Sequence, residues 1–290
     1  MSRNRDRLGN PEPQANTSPA TQQMLAGETT ENSGFSFVVP TEFVDLPSGG
    51  KYYPEGHPLH QTDCIEIKQM TAKEEDILTS RTLLKKGLAL ERVISSLIVD
   101  RRIDPNTLLI GDRNAIIIAA RVSGYGNEYT TQVTCPACGE SQEYEFDLNE
   151  ARVYDGEDID GVTVDYDRDE NVFHTTLPRT KIQVSFRLLD GRDEKRISKA
   201  AESERKSNKG EKNITRQLAN IITSVNGDDS REAIKYAVNN MPSRDSRHLR
   251  LAYRLVAPNV DLTQDFVCCE CDHEQEMEVP LSADFFWPDR

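Results

Sequence analysis

The chain is short of what most functional classes require. It has one tryptophan and five histidines in 290 residues, and its 35 Lys and Arg are outnumbered by 49 Asp and Glu, for a net charge of −14. A duplex-binding protein gains most of its affinity from cations on phosphates, so this balance argues against nucleic acid as the main partner and leaves only a local basic face open. No apolar run reaches the roughly 18 residues of a membrane helix, so no membrane span is expected. The opening residues from Met1 to Arg7 are charged, but no hydrophobic stretch follows them and no secretory signal is read. Hydrophobic content is 36%, low for a folded protein, yet the apolar residues are too periodic for a wholly disordered one.

Catalytic motifs are also missing. Gly49-Gly50-Lys51 lacks the earlier glycine and the following hydroxyl of a phosphate loop. Gly124-Tyr125-Gly126 ends a helical pattern rather than opening one, so it is no dinucleotide fingerprint. His57, His60, His174, His248 and His273 form no constellation with a serine or cysteine nucleophile. Together these absences predict a non-enzyme with no catalytic residues.

What is present is a pair of matching cysteine segments. Cys135-Pro136-Ala137-Cys138 and Cys268-Cys269-Glu270-Cys271 align at one constant offset, together with the acidic and apolar residues after them. In a reducing compartment two such pairs indicate a metal before a disulfide. Zinc takes four thiolates in a tetrahedron, and each Cys-x-x-Cys turn supplies one edge of it. Cys135, Cys138, Cys268 and Cys271 are therefore the candidate ligands of a closed, structural zinc site. Cys269 in place of Cys268, a contribution from His273 and a redox dithiol remain alternatives. Cys64, alone on a strand pattern, reads as a buried apolar residue.

The cysteine pairs close two similar stretches. Residues 1–34 are polar and Pro-rich and predict a disordered tail, and 35–62 form a turn-rich arm with an extended run before Pro40. The first α+β repeat covers 63–148. It contains a strand at Cys64–Lys68 and a helix from Thr71, with Glu74 at capping-box spacing and Gly87 as its cap. A second helix over 88–100 puts Leu90, Val93, Ile94, Leu97 and Ile98 on one face. A third starts at Asp112 and stops before Gly124, and a cysteine hairpin follows it.

Residues 149–180 form an acidic linker and strand. Asp165, Asp167 and Asp169 there lack the glycine and distal glutamate of a calcium loop. The second repeat, 181–281, has a strand over 182–188, polar helical sequence to Lys206, and a helix from Asn213 with Ile214, Leu218, Ile221 and Ile222 on its face. A short helix near Ala233 to Val238 follows, then a last helix over about Ser243 to Val256, in which Asp245, Ala252 and Arg254 fall on Asp112, Ala119 and Arg121 at the cysteine offset. The expected fold is α+β: two pseudo-symmetric copies of a strand–helices–Cys-x-x-Cys hairpin unit joined by the zinc. The tail 282–290 carries Phe285, Phe286 and Trp287, aromatics that either pack within the chain or anchor another subunit.

Several of these segments carry a family resemblance. The loop from Phe43 to Tyr53, the helix start Met70-Thr71-Ala72-Lys73-Glu74, the Ile110-Gly111-Asp112 turn, Gly124-Tyr125-Gly126 and the Cys135-to-Gly139 knuckle together resemble the baseplate hub proteins of T-even-like contractile-tailed bacteriophages. The resemblance spans roughly residues 35–290. It implies a non-enzymatic late protein of tail morphogenesis, a hub subunit or hub assembly factor, whose partners are other baseplate, hub or tail proteins. It places the chain in the infected-host cytoplasm during assembly and, if retained, in the virion tail baseplate. Leu46, Tyr52, Tyr53, Phe285, Phe286 and Trp287 are then the candidate docking residues. The alternative is a zinc-ribbon adaptor for nucleic acid or transcription machinery, which the glutamates around both cysteine pairs disfavour.

Overall fold

A computed structural model describes residues 38–154, 159–206, 213–280 and 283–286. Every element named here belongs to the compact unit Val39–Arg290. The tail expected over 1–34, the start of the extended run before Pro40 and Trp287 lie outside the described residues.

Strand β1 (Thr41–Asp45) pairs antiparallel with β2 (Cys64–Lys68), Val44 opposite Ile65. The sequence reading put Val44 and Asp45 in a loop. They join a strand because Val44 and Leu46, two residues apart, both reach the core. Cys64 is half-buried rather than buried. Thr71 caps α1 (Ala72–Thr79) in a full capping box, with Glu74 accepting the Thr71 N–H at 3.0 Å. The single helix expected here breaks at Ser80 and restarts as α2 (Arg81–Lys85). That helix ends where Gly87 and Leu88 donate back to the Leu84 and Leu83 carbonyls, a Schellman closure.

Helix α3 (Ala89–Leu97) buries Val93, Ile94 and Leu97, and Ile98 follows them into the core. Leu90 lies on that face by angle, but it stands in the helix's first turn and remains 41% exposed. Helix α4 (Ile110–Tyr125) runs past Gly124, where a stop was expected, and is capped by the Gly126 N–H on the Val122 carbonyl. A hairpin of β3 (Glu128–Thr134) and β4 (Ser141–Asp147) follows, with Tyr129, Val133 and Phe146 turned inward. Short β5 (Arg152–Tyr154) comes next.

The stretch expected to be an acidic linker and strand builds strands β6 (Asp165–Asp167) and β7 (Val172–Thr176). Asp167 accepts the Asp169 and Glu170 N–H groups, so the acidic alternation closes a turn between them. Strand β8 (Gln183–Phe186) leads to α5 (Gly191–Lys206), α6 (Asn213–Ile221) and β9 (Ile222–Val225). Ile222, expected on the helix, opens β9 opposite Phe186, where β-branched Ile222, Thr223 and Val225 favour extension. Strands β6, β7, β8 and β9 form one antiparallel sheet in that order. Helices α7 (Arg231–Asn240) and α8 (Ser243–Val256) follow, then β10 (Asn259–Asp261), which returns to pair with β5. The hairpin of β11 (Thr263–Val267) and β12 (Glu274–Glu278) comes last among the strands. The architecture is α+β.

The same bonds recur in both halves. Leu46 N–H reaches the Asp63 carbonyl across β1–β2, and Leu177 N–H reaches Ile182 across β7–β8. A proline follows each leucine, and the next residue donates its N–H to a buried aspartate near a helix start: Ser48 to Asp112 at 2.9 Å, Arg179 to Asp245 at 2.7 Å. Asp190 and Asp193 exchange bonds at the start of α5, as Thr71 and Glu74 do at α1. Ile98 bridges to Ile67 just as Ile222 pairs with Phe186.

Candidate metal centre

Each cysteine pair sits at the tip of a hairpin and is wound by the same two bonds. In the first, Cys135 N–H donates to the Glu140 carbonyl at 2.8 Å and Gly139 N–H to Cys135 at 2.9 Å. In the second, Cys268 N–H donates to His273 at 3.0 Å and Asp272 N–H to Cys268 at 3.1 Å. This winding needs a left-handed residue after the second cysteine: Gly139 has φ 77° and Asp272 φ 53°.

The hairpins face one another. The Tyr144 hydroxyl donates to the Asp265 carbonyl, and its ring lies between Phe146 and Phe266. Gln142 donates to the Val267 carbonyl and accepts from the Cys269 N–H. The Gln264 amide exchanges two bonds with the Asp147 backbone. These clasps bring Cys135 Sγ to 3.8 Å from Cys271 Sγ and Cys138 Sγ to 3.7 Å from Cys268 Sγ. All four sulfurs lie within 4.8 Å of one another.

A tetrahedron of thiolates about 2.3 Å from a zinc ion has edges of about 3.8 Å, so the donor set matches that ion in number, softness and spacing. The separations are far too long for a disulfide. Cys135 and Cys268 are buried while Cys138 and Cys271 are exposed. Cys269 is exposed and outside the cluster, and His273 turns its ring to Gln275 instead. The Cys138 N–H draws the Cys135 thiol down to about 6. The His273 N–H also lowers Cys271, but desolvation and the protons shared with the other thiols push it up to about 12. Four thiolates around one cation would leave it no open position. Among the described residues no other group of His, Cys, Asp or Glu side chains is gathered to hold a metal.

Among the described residues, the candidate docking residues Leu46, Tyr52, Tyr53, Phe285 and Phe286 pack within the chain. Leu46 and Tyr53 are buried, and the Tyr53 hydroxyl donates to Asp112 at 2.7 Å while accepting the Leu109 N–H. Burial pushes that hydroxyl's pKa far up. His57 stacks on the Tyr53 ring, and His60 bonds to its carbonyl. Tyr52 is half-buried against Tyr166 and Phe173. Phe285 and Phe286 are buried too, with Phe285 edge-on to Tyr129. Its carbonyl accepts from Arg121 at 2.6 Å, and Arg121, fully buried, also serves the Gly126 and Glu128 carbonyls. Sequence reasoning gave no role to Arg121, Gln142 or Gln264. The only signal was the coincidence of Arg121 with Arg254.

No helix among the described residues is long and apolar enough to cross a membrane. A family model described as T4 bacteriophage base plate protein matches residues 39–287. No curated protein and no solved structure matches the chain.

Proposed function

Because the chain belongs to the T4 bacteriophage base plate protein family, we propose that it is a non-enzymatic part of the tail baseplate hub, a subunit or an assembly factor. The observation that carries this is the span of the family match, which includes both cysteine hairpins and both buried aspartates. We further propose that the two halves are copies of one unit. The repeated Leu-Pro turn, aspartate grip, paired helix cap and hairpin winding support this. One structural zinc on Cys135, Cys138, Cys268 and Cys271 would close the copies on each other, binding with on the order of ten kcal/mol.

The hairpins' outer faces carry Glu143, Glu145, Glu274, Glu276 and Glu278, all exposed, which repel phosphate and favour protein partners. In this reading the chain assembles in the infected-host cytoplasm. The 43–54 loop and the aromatic end contribute shape through their buried rings, and contact through the exposed residues around them. Pull-down of the full chain against each purified hub and tail protein tests the reading. Binding to a hub protein is expected, and no interaction with any of them would sink it. Mass spectrometry of purified virions beside lysate separates subunit from assembly factor.

A further inference from the structure

Strand β1 is an open edge. It pairs with β2 on one side and has no neighbour on the other among the described residues. The ladder is bracketed by Gln69 N–H on the Pro40 carbonyl and Leu46 N–H on Asp63, so the even-numbered residues bond to β2. By the alternation of an antiparallel pair, Thr41, Phe43 and Asp45 point their N–H and C=O groups away from it. All three are exposed, and Phe43 leaves 71% of its surface in solvent. Such an edge invites another strand.

The other half shows what fits. Its matching strand, β7, bonds to β8 through Phe173 and Thr175 and gives its opposite edge to β6, with His174 facing Asp165 and Phe173 facing Tyr166. Counting from the shared Leu-Pro turn, Phe173 corresponds to Glu42 and His174 to Phe43. Among the described residues, the place that Tyr166 fills beside Phe173 has no occupant beside Glu42. One carboxylate oxygen of Glu42 is buried without a hydrogen-bond partner among the described residues. A buried unpaired carboxylate oxygen is costly and calls for a donor.

We propose that β1 is completed by an extended segment of another protein, antiparallel to it, with a lysine or arginine facing Glu42 and an apolar residue opposite Phe43. Backbone bonds to Thr41, Phe43 and Asp45 supply the affinity, and the cation at Glu42 supplies the selectivity. A second copy of this chain fits less well. Antiparallel β1–β1 pairing centred on Phe43 sets Val44 opposite Glu42, which brings no donor, and each chain carries a net charge of −14. The inference rests on strand geometry and holds whichever part of the base plate the chain joins.

The test uses the full chain with two peptides, acetyl-Thr-Val-Lys-Val-Thr-amide and the same peptide with Glu at its centre, read by amide shifts and hydrogen exchange. The Lys peptide should protect the Thr41, Phe43 and Asp45 amides and bind at least fivefold more tightly than the Glu peptide. Glu42→Gln should abolish the preference. Phe43→Pro, which removes an outward N–H and no ladder bond, should abolish binding. If Phe43→Pro does not fold, the Glu42→Gln comparison decides alone. Absence of protection, equal binding of the two peptides, or undiminished binding to folded Phe43→Pro overturns the proposal. So does protection in the free chain: dependence on concentration assigns the edge to a second copy, and independence assigns it to the chain itself.

Discussion

Asp112 and Asp245 are both buried carboxylates that grip a Leu-Pro turn, and they are satisfied in different ways. Both are fully buried near the start of a long helix, and both grip the turn between two strands. Asp245 accepts two backbone N–H groups, from Arg179 and Thr180. Burial raises its pKa, but those donors outweigh burial and hold the carboxyl below its ordinary value. Asp112 has one backbone donor and two hydroxyls, from Ser48 and Tyr53. Burial dominates there and holds its pKa above the ordinary value. The difference lies in the turn. The second half closes it within a few residues, so two consecutive N–H groups converge. The first half inserts the 49–61 loop, and the Tyr53 hydroxyl, brought in by that loop, replaces the second N–H. Backbone dipoles fixed by a short turn favour the carboxylate more than rotatable hydroxyls do.

The largest test asks whether the halves are held by metal. One zinc per chain is expected by elemental analysis. Cys135→Ser and Cys268→Ser should each lose it and destabilise the fold by roughly 5 kcal/mol or more in denaturant titration, while Cys269→Ser leaves zinc and midpoint unchanged. Loss of zinc in Cys269→Ser would reassign the ligand.

The next compares matched positions on α4 and α8. A Cβ at Gly111 would fall 1.9 Å from the Pro258 carbonyl oxygen. The corresponding residue in the second half, Arg244, is exposed. Gly111→Ala should cost about 3 kcal/mol, and Arg244→Ala less than about 0.5.

The aspartates themselves give a pH test. Asp245, with its folded pKa depressed, stabilises the protein above the unfolded value of about 3.9, and that contribution is lost as pH falls through the folded value. Asp112, with its folded pKa raised, contributes fully below about pH 3.9 and loses that contribution as pH rises through the folded value. Asp245→Asn should therefore cost about 2 kcal/mol at neutral pH and flatten the acid limb of a urea-midpoint profile. Asp112→Asn should cost about 1 kcal/mol and remove the decline just above pH 4. Identical profiles for the two variants would show that the grips do not differ.

The smallest effect is at the knuckles. Asp272→Gly should stabilise by about 0.5 kcal/mol, because it relieves a left-handed side chain, and Gly139→Ala should cost about 1 kcal/mol. Thermal midpoints of the metal-loaded chain would show both.

Local features were legible where a few neighbouring residues suffice to set them. The Thr71–Glu74 capping box, the helix over Val93 to Leu97 and the hairpins around the cysteines depend on spacing alone. Leu90 and Ile214 were placed on buried faces by period, which cannot tell a helix's first turn from its middle. Ser80 breaking a helix, Ile222 opening a strand and Thr41–Asp45 forming one depend on what the rest of the chain packs against them. Arg121 could not be assigned, since its three carbonyl partners lie on segments as far away as Phe285.

The sequence by itself determined the four thiols and their pairing in two turns, because ligand type and loop spacing are local chemistry. It also showed the constant offset that cysteines, aspartates and arginines share. Only the tertiary structure decided that Cys268 rather than Cys269 enters the cluster, that the Tyr53 hydroxyl serves Asp112, and that β1 keeps an open edge among the described residues. Each of these turns on which groups meet across the fold. That meeting is set by burial and hydrogen bonding summed over the whole core, which no short window of residues contains.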